Sequence, residues 1–177
     1  MKSSAKVLLL LVTGMLAGLP AAVQAATTNA YYDVSINLYE IASIAASGDP
    51  PTITIVAPAI AGNLPATQSD ASTTLLWSSA VDSSLGRTRK LTASISALFD
   101  GINLSATVAV TTGTGDLGTS AGKVLLATID KDFITGMGSC YTGSTGNTVT
   151  FEAVVTGMVA PYTAATRVIT WTLTSAS

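Results

Sequence analysis

Apolar side chains recur at every second position through most of the chain beyond residue 30, and that rhythm is broken repeatedly by Gly, Pro, Asn and Asp. A period of two is the signature of strands with one buried face, and no 3.6-residue period is sustained beyond the N-terminus. Tyr32, Val34, Ile36 and Leu38 fall on one face of the first such run, with Asp33, Ser35 and Asn37 opposite. The pattern predicts further strands at 52–56, 73–78, 89–97, 102–110, 123–129, 149–155 and 169–173. Within the fourth of these eight runs Leu91, Ala93 and Ile95 point inward. Asp100-Gly101 marks a tight turn before Ile102. Residues 111–122 read as a Gly/Thr/Ser loop, Asp130–Gly138 as a turn or short helix, and Ile41–Ala46 admits one turn of helix.

Seven or eight short strands separated by turn residues define an all-β chain. Uneven loops and short strands favour an immunoglobulin-like antiparallel β-sandwich over a closed barrel. Trp77 and Trp171 share strand faces with Leu75 and with Ile169 and Leu173, which makes them core residues by pattern and not a carbohydrate platform. Thr, Val and Ile dominate the strands, as suits side chains on a pleated surface.

The first 25 residues follow a different rule. Lys2 and Lys6 precede a nearly unbroken apolar run, Val7–Leu19, which Pro20 ends. Ala21-Ala22-Val23-Gln24-Ala25 then supplies small residues at the spacing a signal peptidase reads. The run is shorter than the roughly 20 residues needed to span a bilayer. Residues 1–25 are therefore expected to be a cleaved signal peptide and residues 26–177 a single sandwich domain without a membrane span. Export to the cell surface or the extracellular space follows, with periplasmic transit if two membranes are present.

Composition then narrows function. The chain has no histidine, so a Ser-His-acid triad and a His-based zinc site are excluded. The acids stand singly on turns or outward strand faces, not in the facing pairs that glycoside hydrolysis needs. No catalytic residue, soluble cofactor or metal is expected. Asp130 and Asp132 have the spacing of oxygen ligands, yet the Gly-containing calcium loop is missing, and helix capping is the plainer role. Cys140 is the only cysteine, so no intrachain disulfide forms; the thiol is either reactive between chains or a small packing residue. Asn103-Leu104-Ser105 matches a glycosylation acceptor, but on a strand face.

Two of the eight basic residues lie in the leader, leaving six against ten acids and a net charge near −4. No basic cluster exceeds Arg87, Arg89 and Lys90, which argues against nucleic-acid partners. A surface made mostly of Thr, Ser, Ala and Gly suits a protein packed against neighbours. The run Tyr32–Leu38 begins almost at once after the cleavage site. A strand so placed either pairs within its own domain or adds to the sheet of a second copy, with Tyr32, Val34, Ile36 and Leu38 as the contact residues.

With its leader, early alternating strand, Thr73-Thr74-Leu75-Leu76-Trp77 and closing run Arg167–Thr174, the mature chain resembles small bacterial exported β-sandwich proteins of the fimbrial-subunit or surface-protein kind. It departs from them in lacking a disulfide and in ending Ser175-Ala176-Ser177, without a Tyr next to last. The resemblance implies a non-enzymatic structural protein that associates with itself or with other surface proteins. The alternative is an adhesin or carbohydrate-binding module acting through the loops at 57–72 and 111–122.

Overall fold

The computed structural model describes residues 33–158, 160 and 165–176. The chain divides into two units, Met1–Ile36 and Asn37–Ser177, and the second holds all the described strands. The expected signal peptide lies outside the described residues. Eleven strands are present among those described: β1 Ile41–Gly48, β2 Gln68–Ala80, β3 Thr88–Ile95, β4 Ile102–Val108, β5 Thr114–Gly115, β6 Thr119–Ser120, β7 Lys123–Leu125, β8 Lys131–Met137, β9 Cys140–Tyr141, β10 Asn147–Val155 and β11 Ile169–Ala176. They form two antiparallel sheets packed face to face, a β-sandwich.

The long strand β2 organises the first sheet. β1 runs along one edge of β2, and β9 and β10 share the other. β5 continues outward from β9, β4 from β10, and β7 from β4. The second sheet has the order β11-β3-β8-β6. Leu75 and Trp77 of β2, Val108 of β4 and Val149 and Phe151 of β10 face Leu91, Ile95, Phe133, Ile134 and Met137 across the core, all 3 % exposed or less. Phe133 meets Trp171 edge to face, with ring centroids 4.9 Å apart at 67°. Alternation produced this core directly, since every second residue of a strand faces the same way.

The two sides of the sandwich differ. On one, residues 121–122 carry the chain from β6 in one sheet to β7 in the other, and Ala121 N–H donates to Phe133 O at 2.8 Å. Residues 126–127 tie the sheets again, with Leu126 N–H donating to Leu104 O and Ile95 N–H donating to Ala127 O. That side is laced shut. On the other side β1 and β11, one edge strand from each sheet, approach each other and have no further strand beyond them among the described residues.

Several expectations need correction. Asp33–Leu38 belongs to no strand, and Tyr32 lies outside the described residues. Ile41–Ala46 is strand β1, not a helical turn: it sits in continuous register with Leu75–Ala80 of β2. The run 52–56 joins no ladder, and Thr52 N–H reaches the Asp70 side chain at Oδ2 and not a backbone carbonyl of β2. Lys131–Met137 is strand β8, so Asp130 and Asp132 cap no helix. Thr92, placed outward by parity, is nevertheless 3 % exposed, covered between Thr172 of β11 and Asp132 of β8. The expected loop at 111–122 holds the short strands β5 and β6, and the total exceeds seven or eight.

Gly48 ends β1 with φ +87°, and a Cβ there would stand 2.2 Å from Ser72 O, a backbone atom that cannot swing aside. Gly48→Ala is therefore expected to lower stability by about 2 kcal/mol, read by urea denaturation. An unchanged midpoint would show that the end of β1 is free to move.

Candidate functional site

The residues singled out for subunit contact occupy an unusual position. Val34, Ile36 and Leu38 are 79 %, 84 % and 80 % exposed, and Tyr39 is 81 % exposed. They lie in a stretch, 33–40, that pairs with no strand. Three apolar side chains on alternate positions, each largely in water, run against the ordinary pull of burial, worth about 1.5–3 kcal/mol for a residue of this size.

The root of this stretch is held by charge. Glu40 Oε1 accepts from Arg87 Nη1 at 2.8 Å and Glu40 Oε2 from Arg89 Nη2 at 3.3 Å. Arg87 immediately precedes β3 and Arg89 lies within it, so a residue leading into the first sheet is tied to the second. Arg89 occupies an inward position, like Leu91, Ala93 and Ile95, and its side chain is only 10 % exposed. Donation from Arg87 holds the Glu40 carboxyl below its ordinary pKa, with the Arg89 charge adding to the effect. Beside this cluster Val81, Thr88, Ser175 and Ala176 complete the walls of a cavity of about 210 Å³.

The open side of the sandwich supplies the complementary feature. Ser96 N–H donates to Val168 O at 2.8 Å. In the unbroken antiparallel register that follows, residues 170, 172 and 174 share ladder bonds with β3, which leaves the N–H and C=O groups of Ile169, Trp171, Leu173 and Ser175 directed away from it. The side chains of Ile169, Trp171 and Leu173 are half-buried against the core. β11 contains no charged residue, no Pro and no shift in its register with β3, so it lacks the devices that usually blunt an edge. β1 is likewise uncharged and free of Pro, and only Ile44 is half-buried in it.

The other candidate residues are dispersed. Asp132 pairs with Lys90 at 3.0 Å while Asp130 is exposed just before β8. Among the described residues no group of three or more His, Cys, Asp or Glu is placed to hold a metal ion. No described helix is long and apolar enough to cross a membrane. Asn103 is exposed on β4, and Glu152 meets Lys123 across the sheet. Trp77 is buried at 2 % exposure and Trp171 is half-buried against Phe133, so both indoles serve packing. A shallow depression of about 110 Å³ between Leu98, Phe99, Ile102, Leu104 and Leu125 lies at the far end of the sandwich from Glu40.

Cys140 is 7 % exposed, and burial pushes its thiol pKa up. Both effects suppress thiolate chemistry. An aromatic disulfide reagent is expected to react with the native chain at least about 100-fold more slowly than with the urea-unfolded chain. Equal rates would show that the β9 end of the sandwich opens freely.

Glu40 and the free edges were not singled out in the sequence, and Arg87 stood there only as one of the Arg87, Arg89 and Lys90 group. Arg89 carried a legible signal: it shares parity with Leu91, Ala93 and Ile95, which marks an inward charge needing a partner. No protein family, no curated protein and no solved structure matches the chain.

Proposed function

We propose that this chain is an exported, non-enzymatic structural subunit that assembles with copies of itself at or outside the cell surface. In this reading the 32–38 run of one copy adds as a strand to the open side of the next. One observation carries the reading: Val34, Ile36 and Leu38 form an alternating apolar row that is almost wholly exposed and unpaired. A soluble domain gains nothing from such a row by itself, whereas strand addition would bury it and satisfy its backbone together.

The open side offers what such a strand needs. The outward N–H and C=O groups of Ile169, Trp171, Leu173 and Ser175 continue the ladder, and the half-buried faces of Ile44, Ile169 and Leu173 receive alternate side chains. A head-to-tail contact of this kind generates filaments when its rotation does not close a ring. The adhesin alternative gains less support, since both tryptophans are used in packing.

Electron microscopy and size exclusion of the purified chain test the proposal. Concentration-dependent polymers, abolished by deleting residues 26–39, are expected. A strictly monomeric chain that is indifferent to the deletion rejects assembly. Export is tested separately by sequencing the N-terminus of the cell-surface fraction, which should begin at Ala26.

A further inference from the structure

We infer that Glu40 is the positioning residue of the contact segment: its bridge to Arg87 and Arg89 fixes the point at which residues 37–39 leave β1. The inference rests on the assembly reading for its consequence but not for its geometry. Glu40 is the last residue before β1, and the stretch that precedes it has no strand partner. Nothing in a backbone ladder therefore restrains residues 37–39, and the first restraint met along the chain is the Glu40 carboxylate.

The restraint is better founded than an ordinary surface ion pair. Arg89 is rooted inside the sandwich, nine-tenths of its side chain buried, with a core strand behind it. Its Nε has no hydrogen-bond partner, so its charge is answered mainly through Nη2 by Glu40. Arg87 closes on the other carboxylate oxygen, so the two oxygens are held from two directions. A carboxylate gripped at both oxygens loses rotational freedom, and the backbone that carries it loses freedom with it. The bridge also spans the open side, from the residue just before β1 of the first sheet to β3 in the second.

The consequence for assembly is one of ordering. A segment that must be ordered on binding costs conformational entropy, and a pre-set root removes part of that cost before the partner arrives. Glu40 does not touch the partner in this scheme. It acts through the segment it anchors.

Glu40→Gln keeps the shape and removes the charge. Chymotrypsin cleavage after Tyr39, followed by mass spectrometry of the product that begins at position 40, reads the root in the free subunit. Cleavage there requires the first residues of β1 to peel away, and Glu40→Gln is expected to speed it about tenfold. The midpoint of thermal unfolding should fall by a few degrees as well, because the nine-tenths-buried Arg89 loses its charged partner, while cleavage after Tyr39 reads the root in the subunit that is still folded. In the same samples polymer growth followed by light scattering should slow several-fold. Arg87→Gln should speed cleavage as well, and the double variant Glu40→Gln/Arg87→Gln should be no faster than Glu40→Gln alone.

Cleavage and growth both unchanged in Glu40→Gln would overturn the inference, and so would additive effects in the double variant. If the unaltered chain forms no polymer, the assembly proposal fails, while the cleavage rates still decide whether Glu40 holds the root.

Discussion

Replacing Asn147 with Ala is expected to destabilise the sandwich by about 3 kcal/mol, more than any surface change considered above. Asn147 is fully buried at the start of β10. Its Oδ1 accepts from Thr111 N–H at 2.8 Å and Thr112 N–H at 2.9 Å, and its Nδ2 donates to Thr112 O at 3.0 Å. These bonds take over where the β4–β10 ladder ends: beyond Ala109 N–H, which donates to Thr148 O, the chain leaves β4 and the side-chain amide supplies the missing partners. Alanine leaves two donors and one acceptor without partners in a part-buried site, and opens a cavity beside them.

For a chain of this size the loss corresponds to a drop of about 10 °C in the unfolding midpoint, measured by circular dichroism. Thr112→Val removes only the hydroxyl contacts to Gly146 O and Asn147 Oδ1, and should cost about 1 kcal/mol. Equal losses in the two variants would mean that the amide is not the organising group.

Charging the exposed row gives the second large effect, on association and not on folding. In the variant Val34→Asp/Ile36→Asp/Leu38→Asp, three apolar side chains that would be buried between copies become carboxylates. Burial of each is worth about 1.5–3 kcal/mol, so the concentration needed for assembly should rise by at least about 100-fold. The thermal midpoint of the free subunit should stay within about 2 °C, because residues 33–38 belong to no strand. Sedimentation velocity across a concentration series reads both species. Undiminished polymer would remove this row from the interface. A collapse of the subunit itself would mean that the row packs within its own chain.

Much of the architecture could be read from alternation. Leu91, Ala93 and Ile95 face the core as their parity requires, as do Ala106, Val108, Val149 and Phe151. Parity did not predict burial: Thr92 lies between Thr172 and Asp132, both exposed, and is itself 3 % exposed, an outcome set by the distant strands β11 and β8 on either side of it. Pairing was equally hidden. Ile41–Ala46, with three alanines, carries a weak strand pattern and becomes β1 because Leu75–Ala80 lies beside it, while Thr52–Val56 has the stronger pattern and finds no ladder.

Local side-chain order thus determined which residues face inward, that the chain is all-β, and that no histidine chemistry is available. It did so because the strand's two-residue period is a property of the backbone alone. Which strands lie at the edges, which side of the sandwich is laced shut and which charged residue meets the buried Arg89 were decided only by the tertiary fold. Those outcomes depend on contacts between segments far apart in sequence: Glu40, just before β1 in one sheet, meets Arg89 of β3 in the other, and nothing local to either residue encodes that meeting.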